Sequence, residues 1–450
     1  MKGWGLVTVV LTATAGAAPL QPQIDAAAPG ATLELAAGQY DGPIVITKPL
    51  TIRGDAGAVI RGDGKTHVVH IRTDDVTVSG LHLRGSGLEL GKDHAAVFVE
   101  GSRVTVRDNL ITDSLHGIYL KKASDCVLSG NRIFGKASAS ASAVRIKPEA
   151  IRPGGSDLCE LPLNQNARGN GIHLWNSERI AVTKNEIRDT RDGIYFTFTN
   201  HSRIAGNVVT HTRIGLHYMY SDQNVFEGNR FAQNAVGSAI MISKGLIVRG
   251  NTFEANVGQR GYGLLLAEVD RTRFEGNAML GNSVGAFMQL SSGNTFFGNT
   301  FARSYIGVRL DGSSDSNTFS RNRFAGNMHP VEIDASLGRN AWSDGRAGNQ
   351  WGNSAEVDLD GDGLGDLPHR ETDLLGELRR PFPVVALLSG SPSLDLARFT
   401  QQHVSLPGVA AVVDPRPLVA ARSREHAANT TAAREHRTFL TQIFTRLFNQ

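Results

Sequence analysis

The sequence predicts an all-β protein: a right-handed parallel β-helix with three-strand coils of about 22 residues, an irregular C-terminal segment and a short helical tail. Three observations carry this. Segments opening at Gly171, Gly193, Gly215, Gly237, Gly263, Gly285 and Gly307 repeat every 22 residues, except for one step of 26 where "GQRGY" adds a bulge. An asparagine recurs at one place in each segment (Asn185, Asn207, Asn229, Asn251, Asn277, Asn299), beside a small polar column of Thr190, Thr212, Asn234, Asn256, Asn282 and Ser304. Each repeat also holds three short runs rich in Ile, Val, Phe and Thr, too short for the helices of an α-solenoid. One coil cannot bury its own apolar face, so stability is a sum over stacked neighbours. Asn tolerates left-handed corners, and stacked Asn side chains can bond one coil to the next.

From the N-terminus, residues 1–17 read as a secretory signal: Lys2, a short apolar run, then Ala15-Gly16-Ala17 as small residues for cleavage. The mature protein is then expected in the periplasm, where Cys126 and Cys159 could pair. Residues 18–330 are assigned to the β-helix. Its entry coils include "GATLELAAGQY" and "VTVSGLHLRGS", and "GIYLKKASDCVLSGNRIF" from Gly117 puts Asn131 in the Asn column. An inserted loop at about 135–168 interrupts the ruler, and a loop that long on a solenoid is usually functional or disordered.

In the central coils "GLHYMYSDQN" (215–224) raises a question of facing. Strand alternation sends Ile172, Ile194 and Leu216, with Leu174, Phe196 and Tyr218, inward. It sends His173, Tyr195, His217 and Ala239, with Trp175, Thr197, Met219 and Met241, outward. Both His217 and Met219 are expected to be exposed. Such a wall suits a protein docking surface. It also suits a soft-metal contact, since imidazole with thioether matches Cu(I). The candidate Cu(I) contacts are His173, His217, Met219 and Met241; Trp175, Tyr195 and Tyr218 are the candidate binding side chains.

Residues 331–420 form an irregular extension, with the helix expected to end near Asn327. "DLDGDGLGDLPHR" offers Asp358, Asp360, Asp362 and Asp366 at positions 1, 3, 5 and 9 of a calcium-loop pattern, but His369 stands where the bidentate Glu belongs. Calcium and an ion-free Asp/Gly turn both remain open. A short helical run is expected around Leu394–His403. Residues 421–450 read as a polar linker and an amphipathic helix, "HRTFLTQIFTRLFNQ", whose partner the residues do not identify.

The formal charge of +3 comes from the last thirty residues, so the body lacks the basic stripe that nucleic-acid binding needs. No segment is long and apolar enough to span a bilayer. The outward columns offer no carboxylate pair for glycoside hydrolysis; Asp113, Asp189 and Asp192 are expected at solvated corners, and His329 and Glu332 meet without a second acid. A non-enzyme is expected. A polysaccharide lyase, epimerase or hydrolase, or a carbohydrate-binding β-helix, is the alternative.

At "GNGIHLWNS", "RDGIYF" and "GLHYMYSD" the chain resembles the NosD family, secreted β-helix proteins that help mature the copper enzyme nitrous oxide reductase. The likeness extends through "GDGKTHVVHIRTDDVTVSGLHLRGSG", "DLDGDGLGDLPHR" and "SPSLDLARF…DPRPL", roughly Gly30 to Leu418. It implies a periplasmic accessory protein working with an ABC transporter permease and ATPase and a copper-chaperone lipoprotein. Copper, as transient Cu(I), would pass to the copper site of the reductase, with a part in sulfur supply left open. The outward patch would then receive Cu(I) or grip chaperone and reductase in turn.

Overall fold

In a computed structural model, residues 8–11, 18–135, 168–333, 339–352, 356–372, 391–393, 396 and 410–419 are described. Most of residues 1–17, the insertion with Cys159, most of the 394–403 run and the 421–450 tail lie outside the described residues. The chain winds as a parallel β-helix. Three parallel sheets of 13, 14 and 12 strands run along it, each coil contributing one strand to each sheet. The helix Gln21–Ala26 covers the N-terminal end with Leu20 and Ile24 buried. Before it, Thr8–Leu11 pairs with Thr32–Leu35 and Ala18–Pro19 with Tyr40 and Asp41.

The glycine ruler has a steric cause. A Cβ on Gly215 would sit 2.5 Å from the Gly237 carbonyl oxygen, and one on Gly193 would sit 2.6 Å from that of Gly215. Coils therefore stack tightly there only because no side chain intervenes.

The asparagine column is a continuous ladder. Asn229 Oδ1 accepts the Asn207 amide N–H at 3.0 Å and the Asn207 Nδ2 at 2.9 Å, while Asn229 Nδ2 donates to Ile204 O. The pattern runs from Asn109 through Asn131 and Asn185 to Asn322 and Asn349, further in both directions than the repeat itself indicated. The small polar column forms a second ladder, Thr212 to Asn234 to Asn256 to Asn282 to Ser304.

The lumen is aliphatic upstream and aromatic downstream. Phe274, Phe296, Phe319 and Trp342 stack at 4.5, 4.7 and 4.5 Å; Phe301, Phe324 and Trp351 stack at 5.0 and 4.5 Å. These stacks move the expected end of the helix. Gln350–Trp351 still pairs with Arg323 and Phe324, so the solenoid continues past Asn327 and residue 330. The last rung is capped by Asp414, whose Oδ2 accepts the Asn349 N–H at 2.6 Å and the Trp351 Nε1–H at 2.9 Å. Asp414 lies in the strand Ala410–Asp414, which pairs antiparallel with His369–Thr372.

Among the described residues Cys126 is a free thiol, buried in the lumen, and burial pushes its pKa up to about 11. Buried so, it is a structural side chain and no reactive nucleophile.

Candidate functional site

The 12-stranded sheet carries the site on its outer face. Its register pairs Tyr119, His173, Tyr195, His217, Ala239 and Leu265 in one column and Lys121, Trp175, Thr197, Met219, Met241 and Ala267 in the next. Leu216 and Tyr218 point into the lumen, as alternation requires. Outward is not the same as exposed, however, and the expected exposure of His217 is wrong: it is 2% exposed, and Met219 is half-buried. The reason is the tight coil spacing. Rings one coil apart shield one another, with centroids 4.4 Å apart for His173–Tyr195 and 4.8 Å for Tyr195–His217. An outer apolar cluster of Ile214, Val236, Ala239 and Leu265, backed by Tyr262 and Phe287, continues the cover.

Tyr218 cannot be a binding residue. Its hydroxyl donates to Ser221 O at 2.6 Å inside the lumen and accepts from Asn224 Nδ2. The candidate ligands also do not all form one centre. His173 lies two coil spacings from His217, roughly 10 Å, with Tyr195 between. Trp175 is packed beside Lys121 and Lys122, whose ammonium groups lie 5.8 Å from its ring. What remains together is His217 with Met219, two residues on along the same face, and Met241 beside Met219 on the next coil.

Asp192 organises this group, although the residue-by-residue reading put it at a solvated corner. It is buried, and Arg213 grips it from Nε at 2.8 Å and from the second nitrogen at 2.6 Å. His217 Nδ1 lies 2.9 Å from Asp192 Oδ2. Burial alone would raise the Asp192 pKa; the hydrogen bonds from His217 and Arg213 overcome it and hold the carboxyl well below its usual range. An ionised Asp192 accepts the Nδ1–H; in the neutral ring this leaves the imidazole lone pair on Nε2. Carboxylates orient metal-binding histidines in this way. The signal was legible: Asp192 directly precedes the ruler glycine Gly193, in the position Ile214 holds one coil on.

Upstream, the same face carries imidazoles of opposite polarity. The backbone N–H of Asn170 donates to His116 Nδ1 at 3.0 Å, and that of Ala95 donates to His67 Nδ1 at 3.2 Å. Burial lowers both pKa values to about 4. These rings are neutral at pH 7 with the proton on Nε2, so they are donors there and unsuited to a metal. Burial likewise lowers His173 well below its ordinary value. At the far end, buried His329 packs edge-on against Tyr305, and Glu332 lies 3.8 Å from Arg309.

In the C-terminal loop, Asp358, Asp360 and Asp362 place one oxygen each within 4.8 Å of one another. Asp366 is not among them; its Oδ2 accepts Leu359 N–H at 2.6 Å. His369 takes no part either. It is clamped 3.1 Å from both Glu356 and Glu371 and stacked on Trp351 at 4.4 Å. Burial opposes its charge, but the two carboxylates raise its pKa to about 9.

The class defined so far is a parallel β-helix presenting a carboxylate-oriented imidazole and two thioethers on one outer wall. Comparison with known proteins narrows it. Residues 155–355 match the family model NosD, described as a periplasmic copper-binding protein. Two curated relatives, each named "Probable ABC transporter binding protein NosD", come from Pseudomonas aeruginosa and Stutzerimonas stutzeri. The first is 32% identical over 161 residues, 35% of this chain and 32% of the relative. The second is 30% identical over 161 residues, 35% of this chain and 31% of the relative. The chain is thus homologous to NosD proteins over part of its length, and the match spans about a third of those relatives. Among solved structures, the A-module of the Azotobacter vinelandii mannuronan C-5 epimerase AlgE6 is similar at 14% identity and a TM-score of 0.49, covering 74% of this chain and 94% of that one. A Yersinia enterocolitica family 28 exopolygalacturonase shows 12% identity and a TM-score of 0.43, covering 70% of this chain and 72% of that one.

Proposed function

We propose that this chain is a non-catalytic periplasmic accessory protein that works with an ABC transporter in copper delivery to nitrous oxide reductase. It serves as the docking scaffold where Cu(I), the cargo, passes from a chaperone lipoprotein to the reductase; the transporter permease and ATPase drive the exchange. The observation that carries this reading is the His217–Asp192 pair beside Met219 and Met241. With the ring neutral, the His217 Nε2 lone pair and the two neighbouring thioethers are the soft donor types that favour Cu(I) over hard cations. The family description as periplasmic and copper-binding, and the relatives' description as ABC transporter binding proteins, support the setting. The Asp358–Asp360–Asp362 cluster is a secondary place for a divalent cation such as calcium, remote in sequence from the copper contact.

The test uses His217→Asn, Met219→Leu and Met241→Leu, singly and together, in cells that make the reductase. The His217→Asn change keeps a donor toward Asp192 and removes the Nε2 lone pair together with the ring contact to Tyr195. The expected result is a reductase lacking its catalytic copper cluster while the variants keep the parent circular dichroism. A full cluster from the triple variant contradicts the proposal. Unsaturated ends or epimerised units in uronic-acid polymers incubated with the protein would instead support the carbohydrate alternative.

A further inference from the structure

The edge of the outer sheet beside Met219 and Met241 is a ridge of left-handed backbone. One residue after Lys121, Trp175, Thr197, Met219, Met241, Ala267 and Gln289 come Lys122, Asn176, Phe198, Tyr220, Ile242, Glu268 and Leu290, all with φ between 49° and 57°. Such backbone suits Gly, Asn and Asp; a β-branched residue such as Ile242 is an outlier there. Among the described residues, the bulky apolar side chains at positive φ are Phe198, Tyr220, Ile242 and Leu290, all in this one column. They are 51%, 46%, 39% and 51% exposed, and Phe198 stacks on Tyr220 at 5.2 Å. Exposed apolar side chains held at a strained corner on successive coils mark a contact surface.

The order of charges along the ridge says what it contacts. From Lys122 to Glu268 the column runs cation, Asn176, Phe198, Tyr220, Ile242, anion, over five coil steps or about 24 Å. A second copy laid antiparallel, with its two-fold axis between the Phe198 and Tyr220 rungs, meets this order in reverse. Lys122 then faces Glu268 of the second copy, Asn176 faces Ile242, and Phe198 faces Tyr220. The same operation sets each neighbouring column against itself. Two residues on, Glu178 faces Lys244 and Asn200 faces Asp222; three residues on, Asp125 faces Arg271. Each charge contact occurs twice by symmetry, and none of the facing pairs in these columns is like-charged. Among the described residues, Lys122, Glu268 and Arg271 form no ion pair within the molecule; Lys122 holds its ammonium over the Trp175 ring. Complementary charges of this kind fix partner and register.

We propose that the protein pairs with a second copy of itself as an antiparallel two-fold dimer through this ridge. The dimer sets Thr197 against Met219 and Trp175 against Met241 of the second copy. It therefore covers the thioethers until another partner displaces one copy. The inference stands on the ridge and its charge order, and holds whether or not copper binds.

Sedimentation equilibrium of the metal-free full chain tests it. The parent is expected to be a dimer, and Lys122→Glu and Glu268→Lys each to weaken it about tenfold or more by opposing like charges. An equal mixture of these two variants is expected to recover the dimer, because each copy then meets opposite charges at both ends. Lys and Glu already occupy left-handed backbone at positions 122 and 268, so both variants should keep the parent circular dichroism. Phe198→Asn/Tyr220→Asn is expected to be monomeric, and the control Val208→Thr on another sheet to stay dimeric. The proposal is overturned if the parent is a monomer, if the mixture of charge variants stays monomeric, or if the dimer survives Phe198→Asn/Tyr220→Asn unchanged. A monomeric parent that binds phosphatidylglycerol vesicles through Tyr220 would equally overturn it.

Discussion

At the scale of single residues, the decisive chemistry is which nitrogen of each imidazole carries the proton. His217 donates through Nδ1 to Asp192, whereas His116 and His67 accept backbone N–H groups at Nδ1. One wall therefore holds a ligand-type histidine and donor-type histidines a few coils apart. Asp192→Asn removes the anion that fixes the His217 ring. Cu(I) affinity, measured by competition with a chromogenic chelator, is expected to fall about 10–100-fold, and stability by about 3–5 kcal/mol. A second expectation concerns pH. His116 has a folded pKa of about 4, below its unfolded value near 6.5. Between those values the unfolded chain binds the proton and the folded chain does not. Stability is thus complete above about pH 7 and falls as pH drops toward 4, by at most about 3 kcal/mol from this ring. Urea unfolding between pH 7.5 and 4.5 should show that slope in the parent chain and a flatter one in His116→Asn.

At the scale of the coil, the repeat is legible because each of its columns has one steric or hydrogen-bonding task. Glycine permits coil contact, asparagine links rungs, and alternating aliphatic residues fill the lumen. Gly215→Ala should therefore be far costlier than an ordinary surface change, since its Cβ meets the Gly237 carbonyl at 2.5 Å. We expect a loss of several kcal/mol, on the order of the larger mutational effects, measured as a lower denaturant midpoint. What the sequence did not disclose is depth. Alternation assigned His217 correctly to the outer face, but the tight coil spacing, the neighbouring Tyr195 ring and the Asp192–Arg213 pair bury it. Tyr218 failed as a binding residue for the opposite reason: its column placed it in the lumen, and a phenol there needs its own partners, Ser221 and Asn224. Asp192 and the upstream rings of Phe98 and Tyr119 were recoverable by continuing the Gly117 register along the same sheet. His369 was not, because its partners Glu356 and Glu371 meet only across the C-terminal fold.

At the scale of the whole molecule, the solenoid is a rigid ruler whose ends are closed differently. The N-terminal end is covered by a short helix, and the C-terminal end by stacked Trp342, Trp351 and His369 with Asp414 on the final rung. Between them, the outer wall sets donor-type histidines upstream, the oriented His217 with Met219 and Met241 in the middle, and the apolar ridge along the edge. Such a layout suits serial contacts with several partners better than a closed catalytic pocket. We propose that Cu(I) is held by His217 Nε2 and the Met219 and Met241 sulfurs. X-ray absorption at the copper edge, on the full chain loaded with one equivalent of Cu(I), tests it most directly. Mixed sulfur and nitrogen neighbours around copper are expected, with the sulfur contribution lost in Met219→Leu/Met241→Leu. An unchanged spectrum in that variant would contradict it.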